Sequence, residues 1–194
     1  MTNYQFELRP FFGKRQHGRK GVVGDFGEVT VEVERKSPSV KAGSRQTEVH
    51  VYGEKMPEVR YQTVGPGRPT LRNARLAVDG NSVHLDFNAK GLTNTARALR
   101  IAYQDRTYEY VAESPGGGGT LTRPGVTITV TRRKNTVGKG MSSLGSVTGA
   151  ADAVDLALAV LFEEVDTVEL TISGAVSGAL GRLLNPRSNE PVAE

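Results

Sequence analysis

The stretch that decides the fold is DAVDLALAVLFEEVD, residues 152–166. Almost everything before it alternates apolar and polar residues with the period of a β-strand. This segment instead has helical spacing, and between Ala153 and Phe162 it carries one charge, at Asp155. Asp152 reads as the N-cap, and Asp155, three residues on, suits the positive end of the helix dipole. Val154, Leu158, Leu161 and Val165 form one stripe. Leu156, Val160 and Phe162 lie off it, and Ala153, Ala157 and Ala159 fill the remainder with small apolar groups. Glu163, Glu164 and Asp166 are expected to mark where the helix meets water. A surface helix keeps a polar face, whereas one that is apolar all round lies in a protein core or a membrane. About ten apolar residues make a rod of roughly 15 Å, half a bilayer's hydrocarbon thickness, so burial inside protein is expected.

A flat sheet covers one side of such a helix; a sheet closed on itself covers every side. The strands to do so are present. EVTVEVE sets Val29, Val31 and Val33 on one face, and TEVHVYG repeats the pattern with Val49 and Val51. EVRYQTV follows at 58–64. ARLAVDGNSVHLDF reads as a hairpin, with Leu76 and Val78 before Asp79-Gly80 and Val83, Leu85 and Phe87 after it; Asp-Gly supplies the positive φ of such a turn. Leu99, Ile101 and Tyr103, then Tyr108 and Tyr110, form another pair, and Val126, Ile128 and Val130 follow the Pro124-Gly125 turn. The expected fold is mainly β: an antiparallel, closed or near-closed β-barrel of about 10–12 strands around one hydrophobic near-C-terminal helix at about 151–165. The alternative is a β-sandwich with the helix packed on one sheet. Residues 1–172 read as a single barrel domain and 173–194 as a short apolar segment and disordered tail. Loops are expected at 10–21, 36–46, 65–70, 115–119 and 135–149. Val168, Leu170 and Ile172 alternate as one more strand, and Ile172, Val176, Leu180 and Leu183 mark an apolar stripe that docks on the barrel, a partner or a membrane.

The long run of short strands, the single late apolar helix and the aliphatic run closing on Glu163-Glu164 resemble the tubby-like superfamily, including its LURP-one-related and scramblase-like proteins. The resemblance implies a closed β-barrel wrapped around a hydrophobic C-terminal helix over most of residues 1–172. It also implies association with lipid, since tubby proteins bind phosphoinositide headgroups through basic residues on the barrel. It carries over no individual site residue. The segment after the helix and the first strands depart from the pattern, which leaves the topology open.

A net charge of +4 conceals an asymmetry: residues 1–150 hold 23 Lys and Arg against 13 Asp and Glu, and residues 151–194 hold 2 against 8. A basic body attracts anionic lipid, nucleic acid or acidic protein. Two clusters are the candidate anion or lipid contacts: Lys14, Arg15, Arg19 and Lys20, beside His17, and Arg132, Arg133, Lys134 and Lys139. Each supplies charge and donors to a phosphate. GKGMSSLG, at 138–145, lacks the spacing of a Walker A loop. Tyr103, Tyr108 and Tyr110 near Arg97, Arg100 and Arg106 could stack bases, but Tyr103 shares a face with Leu99 and Ile101 and reads as core.

Little points to catalysis. His84 and Asp86 share an outward face but make only two ligands, and His50 is also outward. Zero Cys excludes disulfides and thiol chemistry. No Ser/His/Asp grouping or G-x-S-x-G elbow is present. No catalytic residue, metal or cofactor is expected. The N-terminus has no basic-then-apolar signal order and no run matches a membrane span, so a cytoplasmic setting, peripheral to a membrane, is expected. The expected function is a non-enzymatic binding or scaffold module that contacts an anionic surface, phospholipid headgroups, through basic loops. The alternatives are a structural protein that forms homo-oligomers and a nucleic-acid-binding β module.

Overall fold

The computed structural model describes residues 3–14, 16–35, 47–64, 70–134, 140–174 and 176. Twelve strands follow one another: β1 (Asn3–Phe12), β2 (Gln16–Val22), β3 (Glu28–Arg35), β4 (Thr47–Gly53), β5 (Met56–Thr63), β6 (Ala74–Val78), β7 (Asn81–Phe87), β8 (Leu99–Tyr103), β9 (Arg106–Ala112), β10 (Gly118–Arg123), β11 (Val126–Lys134) and β12 (Met141–Gly149). Helix α1 (Ala153–Leu161) follows, then a 3-10 turn at Val168–Leu170, and residues 172–174 and 176 are again helical. Each strand pairs antiparallel with its chain neighbours, and β1 pairs with β12 from Asn3↔Thr148 to Leu8↔Ser143, so the sheet closes into a barrel.

Strong alternation builds most of the wall. Val29, Val31, Val49, Val51, Val59, Leu76, Leu99, Ile101 and Ile128 all face inward and are buried. Asp79 and Gly80 take φ of 47° and 77° between β6 and β7, the backbone that the Asp-Gly pair leads one to expect. Twelve strands about 4.8 Å apart and tilted by about 40° close at a backbone radius of about 12 Å. A helix with side chains has a radius of about 5–6 Å, which leaves one layer of inward side chains between it and the wall. Accordingly α1 touches β4 and β5 on one side and β10 and β11 on the other. Those pairs lie diametrically opposite in the strand order, so the helix bridges the barrel.

Three expectations from the sequence are corrected. Residues 10–21 and 135–149 were expected as loops, but the first holds the end of β1 and most of β2, and 141–149 is β12. Both are Gly-rich with weak local propensity, and tertiary pairing overrides it. Their glycines permit the approach: a Cβ on Gly145 would stand 2.0 Å from the Phe6 ring, and one on Gly18 would stand 1.9 Å from the Val31 carbonyl oxygen. Residues 168–172 are not a strand. Arg97 takes hold of the Glu169 carbonyl with Nε and Nη2 at 3.0 and 2.8 Å, and the turn drives Leu170 into the core. The stripe proposed for 173–184 and the tail to 194 lie almost wholly outside the described residues.

Because neighbours alternate in direction, the connections alternate between two rims. The lower rim surrounds the start of α1 and the upper rim surrounds its end.

Candidate functional site

The charges on α1 come first, because they decide which arginines remain available. Asp152 caps the helix, its side chain accepting from the Asp155 N–H at 3.1 Å while Asp155 accepts from the Asp152 N–H at 2.9 Å. Asp155 is 0% exposed. Such a carboxylate is tolerated only when its lone pairs are filled. Arg123, from the end of β10, fills them in a bidentate fork at 2.7 and 2.6 Å. Arg106, from the start of β9, bonds Asp152 and lies 3.6 Å from Asp155. Burial pushes Asp152 up, but the Asp155 N–H, Arg106 and Arg123 together outweigh it and hold its carboxyl below the ordinary value.

The other end of α1 mirrors this. Glu163 and Glu164 do not meet water as the sequence suggests; Glu163 is 1% exposed. Its carboxylate accepts from Ser143 and pairs with Arg132 at 3.3 Å, and Arg132 also bonds the Glu163 carbonyl. Glu164 pairs with Arg19 at 2.7 Å. Arg19, 6% exposed, also donates to the Met141 carbonyl. Burial holds its guanidinium below the ordinary value, with Glu164 acting in the opposite direction. Thus Arg19 and Arg132, both candidate ligand contacts, face inward and hold the helix.

The other candidates divide differently. Lys14, Lys20, Arg133 and Lys134 are exposed, and Arg15 and Lys139 lie outside the described residues. The exposed set comes together through register. Lys20 pairs with Arg9 across β2 and β1, and Arg133 pairs with Ser142 across β11 and β12. Arg9 and Ser142 each stand one step beyond the last β1–β12 pair, Leu8↔Ser143. Lys20, Arg9 and Arg133, with the buried Ser142 between the last two, therefore line up across four adjacent strands, about 14 Å at the usual strand spacing. Glu7 lies 3.4 Å from Arg9 along the same strand. Arg9 escaped the sequence reading because it sits outside both basic runs.

Above this row the β1–β2 and β11–β12 tips touch: a Cβ on Gly140 would stand 3.2 Å from the Phe12 ring. Phe12 is 67% exposed there, beside Met141. Leu92, 87% exposed, and Ile172 lie on the same rim, and the Ile172 N–H donates to Asn94 Oδ1 at 3.0 Å. Four of the exposed large apolar side chains thus share the upper rim, above the cationic row. A cavity of about 180 Å³ between His17, Tyr61, Thr63, Glu164 and Asp166 also opens there. It is smaller than the roughly 300–1,000 Å³ of ordinary small-molecule pockets.

Tyr108 and Tyr110 are buried, with Tyr110 stacked on Phe162 at 4.4 Å, so they offer no platform for bases. His84 and Asp86 are exposed on the outer wall. Among the described residues no group of three or more His, Asp and Glu is placed to hold a metal, and no helix is long and apolar enough to cross a membrane. The wall is polar outside and apolar inside, the reverse of a barrel that faces lipid with its strands. Comparison with family models, curated proteins and solved structures finds no match.

Proposed function

We propose that this protein is a non-enzymatic module that docks by its upper rim on an anionic phospholipid surface. The reading rests on the coincidence, at the upper rim, of Lys14, Arg133 and Lys134 with the exposed Phe12 and Met141, and on Arg9 and Lys20 continuing the basic surface down the outer wall. A basic residue close to an anionic leaflet contributes about 1 kcal/mol, and an aromatic at a hairpin tip adds apolar burial in the headgroup region. Kinship with the tubby-like superfamily belongs to the same proposal, since phosphoinositide headgroups present the same clustered phosphates. Nucleic acid is less favoured, because the tyrosines that would stack bases are in the core.

Co-sedimentation with vesicles tests this. Vesicles of phosphatidylcholine with phosphatidylserine should bind the chain, and vesicles of phosphatidylcholine alone should not. The triple change Lys20→Glu, Arg133→Glu and Lys134→Glu should weaken binding at least tenfold, an expectation of about 1 kcal/mol per contact. Phe12→Ser should weaken it while leaving its salt dependence in place. Equal binding to both vesicle types, or none to either, refutes the proposal.

A further inference from the structure

The barrel sorts its charges by rim. Four successive lower-rim connections each present an exposed carboxylate: Asp25 between β2 and β3, Glu54 between β4 and β5, Asp79 between β6 and β7, and Asp105 between β8 and β9. Glu28 extends this arc from the adjoining strand β3. Among the described residues Lys55 is the one cation within those connections, and its ammonium donates to the Asp25 carbonyl at 3.1 Å. The other cations nearby are committed. Arg106 and Arg123 hold Asp152 and Asp155, and Arg60 forks onto Glu58 at 2.8 and 2.6 Å. The upper rim has the opposite balance at the joined β1–β2 and β11–β12 tips. Lys14, Arg133 and Lys134 are exposed there, Lys20 stands lower on the outer wall, Arg9 is paired with Glu7 at 3.4 Å, and the exposed Glu34, Asp86, Glu113 and Asp166 lie elsewhere on that rim. Its acidic pair Glu163-Glu164 is already neutralised from within.

We propose that the acidic lower rim is an interaction surface for the basic upper rim of a second copy of this chain, giving head-to-tail association. The two surfaces are different patches, so the contact is heterologous and leaves an unused rim at each end. Exposed charges carry it, so salt screens it: the Debye length falls from about 10 Å at 0.1 M to about 3 Å at 1 M. The upper rim is shared with the proposed membrane contact, so vesicles and a second copy compete for it. The lower rim belongs to this inference alone.

Sedimentation velocity of the full chain at about 0.05 M and about 0.5 M salt is the test. Two variants separate the rims: Glu54→Lys with Asp105→Lys below, and Arg133→Glu with Lys134→Glu above. Asp79 is left intact because its φ is positive and its carboxylate accepts from the Glu58 N–H at 2.9 Å. The parent chain should associate at low salt, with affinity at least about tenfold weaker at high salt. Each variant alone should be monomeric. Their mixture should associate again, since each retains the rim the other lacks and the two reversed rims complement each other in turn; this outcome also shows that both variants are folded. The lower-rim variant should still bind anionic vesicles, which keeps a failure here distinct from a failure of membrane docking. A parent chain that stays monomeric at low salt, or variants that associate as it does, overturns the inference.

Discussion

At the scale of single residues, the chain spends four arginines on one helix. Asp155 is the most demanding charge, because it is fully buried and its lone pairs depend on Arg123 and Arg106. Removing one member of a buried pair costs about 3–5 kcal/mol, because the partner is left uncompensated. Asp155→Ala should lower stability by that order in urea unfolding, and Asp155→Leu with Arg123→Met should recover much of it. Asp152→Ala, which removes the cap, should cost about 1 kcal/mol. The carboxyl of Asp152 is held below its ordinary value, so its contribution is present at neutral pH and is lost as pH falls below the ordinary carboxylate range and through the native value. These partners are not visible in the sequence. Arg19 and Arg132 stand in basic runs that look solvated, and only the β2 and β11 registers turn them inward while Lys20 and Arg133 turn out.

The elements differ in how far local pattern determines them. Helix α1 is specified by its own residues: a capping box, an apolar circumference and no β-branched run long enough to oppose it. Its packing is tight, and Leu158, 0% exposed, should cost about 2–5 kcal/mol when cut to Ala. Strand β12 is the opposite case. MSSLGSVTG has few β-branched residues, and its place comes from pairing with β1 and β11 on either side. Gly145 is required there because the Phe6 ring occupies the space a side chain would need. Gly145→Ala should therefore lower the melting temperature, and Phe6→Leu in the same chain should offset part of the loss; a Gly145→Ala variant with unchanged melting temperature would contradict this packing.

For the whole molecule, the interior predicts an alkaline limit. Burial pushes Tyr4 and Tyr108 up to about 12, and it pushes Tyr61 and Tyr110 higher still, with nearby carboxylates acting in the same direction. A phenol with a raised native value stabilises the fold fully below its unfolded value near 10 and ceases to do so as pH rises through the native value. Tyrosinate absorbance, undisturbed in a chain without Trp, should lag for these four residues and then rise together with loss of β-sheet signal above about pH 10. A smooth titration of all tyrosines near 10, with the sheet intact, would contradict their burial.

The amino-acid sequence by itself determined that a sheath of strands must enclose a late apolar helix. That information is local, because alternation sets the faces of each strand and a helix without a polar side must be covered on every flank. Only the tertiary structure decided which charges stay exposed. Closure of β1 on β12 fixes the register of the basic strands, and the alternation of strand direction assigns each turn to a rim. Both are properties of the closed sheet, so a cationic row across four strands and an acidic arc across four turns arise from residues that stand far apart in the chain.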